Sequence, residues 1–346
     1  MEYIISFASI LALLVLIVGC CTVFTNAIEH LGKMLNMGHG AVGCVLAAVG
    51  TALPETIVPL VAILGAYITG ESVDVGSEIG VGAILGSPFL LVTLAMLVTG
   101  ISLLFYSKMK QREKEINIDT TLLQRDLRFF ALGYSIAILA TFIDSKTIKI
   151  IIGCLLLLLY LIYVFRTILK SCAIDCEGEM EDLYLVSILK IKDKSPTVLI
   201  WTQVVISILF LIFFSHLFVE NIKFVSQSLN VSPMIVSLLL APVATELPEM
   251  FNSIIWVGKS KDTLAMSNIS GAMVFQSCIP MSIGIFLTNW KFSQEAIFNI
   301  VLVYLAVIVL YINTVISKNK LNTKTLLISG TFYIVYIIYV AYKFII

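Results

Sequence analysis

The stretch VGTALPE occupies residues 49–55, and VATELPE occupies residues 243–249. Each lies inside a strongly apolar run. Each places a proline and then a glutamate where a membrane helix tolerates neither easily, because proline removes a backbone hydrogen bond and a carboxylate is expensive to bury in lipid. Sliding the chain by 194 residues pairs Val42 with Val236, Leu46 with Leu240, Ala47 with Ala241, Val49 with Val243, Thr51 with Thr245, Leu53 with Leu247, Pro54 with Pro248 and Glu55 with Glu249. That is eight identities in fourteen positions. A weaker match follows one span later, where GAILGSPFL (82–90) faces SNISGAMVF (267–275), aligned on Gly86 and Gly271.

The background composition explains why these stretches stand out. Of 346 residues, 59% are hydrophobic and 13% charged, and the mean hydropathy is +1.03. A soluble domain carries about 25% charged residues, so the chain reads as a polytopic membrane protein. The first apolar run has no basic residue before it and no small-residue cleavage site after it, and is expected to be a transmembrane helix, not a signal peptide. The seven cysteines, Cys20, Cys21, Cys44, Cys154, Cys172, Cys176 and Cys278, show no zinc or disulfide-framework spacing and are expected to be buried apolar residues.

Ten spans are expected, near 3–28, 40–68, 79–105, 128–144, 147–169, 197–219, 231–257, 264–288, 295–316 and 323–345, in an all-α fold. The connections after the odd-numbered spans hold 17 of the 22 Lys and Arg residues. By the positive-inside rule this places both termini outside and makes the acidic connection 69–78 external. The two Pro-Glu stretches fall in the second and seventh spans. Five spans separate them, so the second copy enters the membrane from the opposite side. The expected domain plan is therefore a first inverted repeat over 1–169 (motif region 42–91), a cytosolic loop over 170–196 and a second repeat over 197–346 (motif region 231–276). Inverted repeats are a recurring plan of secondary transporters, with the site near the midplane.

Pro54 frees the carbonyl of Gly50, and Pro248 that of Ala244, so both helices are expected to break there. Thr51 and Thr245 add a hydroxyl beside each freed carbonyl, and Glu55 and Glu249 add a carboxylate one turn on. Such oxygens are the ligand set of hard cations. Glu246 stands where the first copy has Ala52. It lies one turn before Glu249 on the same helix face, as a third ligand or in an aqueous vestibule. Two carboxylates with neutral oxygens suit one divalent ion or monovalent ions in its place, and proton coupling is a further option.

These residues resemble the Ca2+/cation antiporter superfamily, nearest its sodium/calcium exchanger branch. That family carries two inverted repeats, each with a G-T-S-L-P-E-like motif and, one helix later, a G-S-N-x-x-N or G-S-N-x-x-D motif. The resemblance implies ten helices, Ca2+ held by Glu55 and Glu249, oxygens from Thr51 and Thr245, and Na+ competing for overlapping sites. It also implies that the first and sixth helices slide against the rest. The second motif departs from the pattern. The first repeat keeps Gly86 and Ser87 but has Pro88 and Leu91. The second keeps Gly271 but has Ala272, Met273 and Gln276. Of the family's polar ligands there, Ser87 and Gln276 remain, and Glu246 replaces a hydroxyl.

The expected metal-ligating set is thus Glu55, Glu249, Thr51, Thr245, Ser87, Glu246 and Gln276. The expected function is Ca2+/Na+ antiport by alternating access in a prokaryotic plasma membrane. The alternatives are H+-coupled divalent antiport, a cation channel using the same glutamates, or an intramembrane hydrolase using them as a dyad. No phosphate loop, dinucleotide fingerprint or H-E-x-x-H motif is present, so no ATP-driven pump, cofactor or nucleic-acid partner is expected. The partners are the two transported ions and the bilayer. The acidic run IDCEGEMED (174–182) is expected to be a solvated loop, and Trp201, Trp256 and Trp290 to form an interfacial belt.

Overall fold

The computed structural model describes residues 2–34, 53–69, 73–109, 115–171, 182–189, 197–317 and 320–345. Thr51, the Gly50 carbonyl and residues 174–181 of the acidic run lie outside these. The described chain is mostly helical, and the helices are α1 (Glu2–Met34), α2 (Pro54–Thr69), α3 (Val73–Lys108), α4 (Thr120–Leu139), α5 (Lys146–Ser171), the short α6 (Tyr184–Leu189), α7 (Thr197–Leu229), α8 (Pro233–Gly258), α9 (Asp262–Leu287), α10 (Gln294–Ile316) and α11 (Thr323–Ile345). Two three-residue strands, β1 (Glu115–Asn117) and β2 (Lys320–Asn322), pair antiparallel and tie the segment after α3 to the segment after α10.

Among the described residues, eight helices are long and apolar enough to cross a membrane. The two that fall short of the ten expected do so for different reasons. α2 has only 16 described residues. α4 begins at Thr120, eight residues before the expected start of the fourth span, and so takes in Arg125, Asp126 and Arg128. Asp119 starts it as N-cap, accepting from the backbone N–H groups of Thr121 and Leu122. Asp126 is tolerated inside the bundle because Arg125 pairs with it at 2.9 Å and the Ser270 hydroxyl donates to it at 2.7 Å. The acidic connection also shortens: α3 begins at Val73, which puts Asp74 and Glu78 on its first turns.

The centre of the bundle is the crossing of α3 with α8. A Cβ on Gly82 would lie 2.3 Å from the Met234 carbonyl oxygen, and one on Gly86 would lie 2.2 Å from that of Leu238. The two backbones are therefore in direct contact along one helical turn, the close approach that small residues four apart permit in membranes. The Ser237 hydroxyl donates to the Ile79 carbonyl across the same seam at 2.6 Å. Around it, α2 packs on α3 and α7, α8 on α9 and α1, and α1 on α7. Further out, α9 packs on α4 and α5, α3 packs on α10 and α11, and each outer pair also packs together.

Three expectations about single residues change. α8 runs unbroken through Pro242 and Pro248, so the second Pro-Glu stretch lies within a continuous helix. Trp290 is buried, its indole N–H donating to the Ala137 carbonyl at 2.8 Å, and is no part of an interfacial belt. Cys154 is exposed on α5, while Cys21 and Cys278 are buried.

A polar clamp holds α6. The Asn26 side-chain oxygen on α1 accepts from the Tyr184 N–H at 3.1 Å and from the Gln203 amide on α7 at 2.9 Å. The Gln203 oxygen accepts from the Leu185 N–H at 2.9 Å. Leu183 fills an apolar cluster with Phe24, Ala27, Ile28, Leu31, Ile200 and Val204. The segment is thus fixed to both long helices at once.

Candidate cation site

The two Pro-Glu stretches meet at the α3–α8 seam in different local settings. Leu53 lies in a bend, and α2 starts at Pro54. There proline costs nothing, because the first N–H groups of a helix have no intrahelical partner. Glu55 is in the first turn of α2, where the helix dipole favours a negative charge. In the second copy the stretch is interior to α8, so Thr245, Glu246 and Glu249 share a helix whose cap, Ser232, lies well before them.

Glu55, Glu246 and Glu249 are fully buried, and each offers one carboxylate oxygen within 4.8 Å of the others. Two oxygens bound to one Ca2+ at 2.3–2.6 Å are at most about 5 Å apart, so this cluster is close enough to share one ion. Both oxygens of Glu55 are buried with no hydrogen bond of ordinary geometry among the described residues, and Glu246 and Gln276 lie beside them. Glu246 is held differently. Its Oε2 accepts from Gln276 Nε2 at 2.9 Å, and its Oε1 from the Thr245 hydroxyl at 3.2 Å. The Ser87 hydroxyl on α3 also faces it. Burying carboxylates this close together in a dry interior is costly, and a cation between them would offset that cost.

The geometry therefore gathers Glu55, Glu246, Glu249, Thr245, Ser87 and Gln276 from four helices, α2, α3, α8 and α9. Thr51 lies outside the described residues. Two further residues border the site. Asn268 on α9 donates from Nδ2 to the Glu249 backbone carbonyl at 3.4 Å. Cys21 on α1 is buried within electrostatic range of Glu249 and Glu55. Asn268 sits in the SNISG stretch that pairs with GAILG, so the repeat marked its neighbourhood. Cys21 carried no signal, since a buried cysteine in an apolar run is indistinguishable from filler.

The fold and the site together define a polytopic membrane protein with a buried cluster of three carboxylates inside its helical bundle. The family model described as sodium/calcium exchanger protein matches residues 5–169 and 199–345. The chain belongs to this family, within the Ca2+/cation antiporter superfamily. It is 21% identical over 256 residues to the uncharacterized membrane protein MJ0091 of Methanocaldococcus jannaschii, covering 72% of each chain. In fold it resembles the H+/Ca2+ exchanger CAX, with a TM-score of 0.68 and 15% identity over 98% of this chain and 88% of that one. It also resembles the sodium-calcium exchanger NCX_Mj, with a TM-score of 0.57 and 20% identity over 96% of this chain and 98% of that one.

Proposed function

We propose that the chain is a secondary antiporter that exchanges Ca2+ for Na+ by alternating access. Glu55 and Glu249 take either the divalent ion or Na+, and this mutual exclusion couples the two fluxes. The observation that carries the reading is the buried meeting of Glu55, Glu246 and Glu249, with one oxygen from each within 4.8 Å. Thr245, Ser87, Gln276 and, by the repeat, Thr51 complete the ligand set.

In this reading ten helices form two inverted repeats over 1–169 and 197–346, joined by the loop 170–196. The packing supports it. Pairing each of the first five long helices with its counterpart in the second half maps α1 on α7, α2 on α8, α3 on α9, α4 on α10 and α5 on α11. The contacts of α3 with α10 and α11 then correspond to those of α9 with α4 and α5, and the α2–α7 contact corresponds to α8–α1. The distribution of basic residues puts both termini outside, and the short connections suit a prokaryotic plasma membrane.

H+-coupled exchange is a second reading, favoured by the likeness in fold to the H+/Ca2+ exchanger. One experiment separates the two. Purified protein is reconstituted into vesicles loaded with Na+, with K+, or with an acid interior, and uptake of radioactive Ca2+ is measured beside Glu55→Gln. Uptake only from Na+-loaded vesicles, lost in the variant, is the expected result. Uptake driven by the acid interior moves the coupling to protons, uptake without any counter-ion moves the reading to a channel, and no uptake overturns Ca2+ transport.

A further inference from the structure

The outer helices correspond between the two halves away from the Pro-Glu stretches. Sliding the chain by 173 residues pairs Tyr160 and Tyr163 of α5 with Tyr333 and Tyr336 of α11, and Asp126 of α4 with Asn299 of α10. The rings around them correspond too. Tyr160 lies 5.5 Å from Phe275 of α9, and Tyr333 lies 5.5 Å from Phe89 of α3.

The two polar residues meet different surroundings. Asp126 is well supplied with donors: Arg125 donates to its Oδ1 at 2.9 Å, the Ser270 hydroxyl donates to its Oδ2 at 2.7 Å, and the Tyr163 hydroxyl faces it. In the other half Phe298 stands at the position of Arg125, and Leu85 at that of Ser270 when Gly86 is set on Gly271. Neither side chain can donate. Asn299 and Tyr336 are fully buried. Among the described residues, Asn299 Nδ2, Asn299 Oδ1 and the Tyr336 hydroxyl have no hydrogen-bond partner. These atoms belong to one region. Phe298, next to Asn299, packs on Tyr336 with ring centroids 6.3 Å apart. Tyr336 is also within electrostatic range of Glu295, which lies one turn before Asn299 on the same face of α10. Glu295 itself is engaged by Lys343.

The kinds of atom left over decide what can fill the gap. Nδ2 needs an acceptor and Oδ1 needs a donor. A cation would serve the two oxygens and leave Nδ2 bare, and an anion would do the reverse. Water accepts and donates at once. Bare polar groups inside a bilayer are costly, since lipid offers them no partner.

We infer that Asn299 and Tyr336 hold a buried water molecule between α3, α10 and α11, in the place that the Arg125 guanidinium and the Ser270 hydroxyl fill in the other half. Its three contacts match the about three hydrogen bonds that an internal water makes. The comparison between halves rests on the two-repeat reading; the unpartnered atoms do not. The inference makes the halves mechanically unlike. α9 is pinned to α4 by direct, charge-assisted bonds, while α3 meets α10 and α11 through water and stacked rings.

The test is hydroxyl-radical labelling by X-rays of the purified protein in detergent and 18O-enriched water, read by mass spectrometry. Radicals formed from a bound water mark the side chains beside it, even where bulk solvent does not reach. Heavy-oxygen label is expected on Tyr336 and not on Trp290, which is as deeply buried but has its indole N–H bonded to Ala137. In Asn299→Leu, which removes two of the three contacts, the Tyr336 label is expected to fall to the level of Trp290. Asn299→Met is measured beside it, because a flexible side chain fills an irregular gap where leucine does not fit. An unlabelled Tyr336 in the wild type overturns the water site, and so does a label that persists in the folded variants. Neither outcome touches the exchanger reading, which the Ca2+ uptake experiment decides.

Discussion

Gln276 Nε2 lies 2.9 Å from Glu246 Oε2, joining α9 to α8 inside the carboxylate cluster. This bond sets how the cluster responds to a change at Gln276. Gln276→Glu replaces a donor with a fourth carboxyl group and takes the amide donor from Glu246. The variant is expected to be less stable than the wild type when divalent ions are chelated, by about 1–3 kcal/mol for the orphaned carboxylate. It is expected to gain more stability than the wild type on adding Ca2+. Thermal unfolding in detergent, with chelator and then with Ca2+, measures both.

Removing the charge of either repeat glutamate should be far more damaging. Glu55→Gln and Glu249→Gln each delete a charged ligand of the proposed site, and the number of charged ligands shifts Ca2+ affinity by decades. Counter-ion-driven uptake is expected to fall by more than roughly tenfold in each, while the purified variants remain monodisperse. Uptake within twofold of the wild type in either would show that the ion does not bind there.

The α3–α8 seam makes a packing prediction. A Cβ on Gly86 would meet the Leu238 carbonyl oxygen at 2.2 Å, a contact with backbone that no rotamer change relieves. Gly86→Ala is expected to cost about 1–3 kcal/mol as overpacking, and Gly86→Val more. Gly19 on α1 has nothing within 4 Å of an added Cβ, so Gly19→Ala is the control, neutral or slightly stabilising through helix propensity. Thermal midpoints of the three variants decide it.

The Asn26–Gln203 clamp predicts a local effect. Gln203→Leu orphans the Leu185 N–H and removes a donor from Asn26. Hydrogen exchange at 183–189 is expected to speed up, with a loss of about 1–3 kcal/mol in local protection. Asn26→Leu on top of it should add less than its cost alone, because the two side chains serve the same segment. Equal and independent costs would show that they do not act together.

Much of this molecule could be read before any coordinates. The Pro-Glu pairs named Glu55 and Glu249, and counting spans placed them on helices from opposite halves. Glu246 was visible as an exception to the repeat, and Gln276 as a departure from the second motif. That the two departures bond to each other was not legible, because they lie 30 residues apart on different helices. The start of the fourth helix was missed because hydropathy alone starts a span after its charges. Here Asp126 is paired inside the bundle, so the helix extends back over them. The unbroken α8 was missed because proline is a helix breaker in water, whereas in a membrane bundle neighbouring helices re-satisfy the freed backbone. The spacing of Gly82 and Gly86 held a legible signal for close helix approach, in the same stretch already noted for its match to the second repeat.

The seam between α3 and α8 also constrains how the molecule can move. Side-chain interfaces can slide by exchanging rotamers, one residue at a time. Gly82 and Gly86 meet Met234 and Leu238 backbone to backbone, and such a joint has no rotamers to exchange. It behaves as a weld: it stays shut or opens as a whole. α3 and α8 carry Ser87, Thr245, Glu246 and Glu249, so those four side chains keep their helices' spacing through any excursion short of that opening. In the proposed cycle, what changes between one face of the membrane and the other is then what surrounds this half of the cage, including Glu55 on α2 and Gln276 on α9, which lie off the joint.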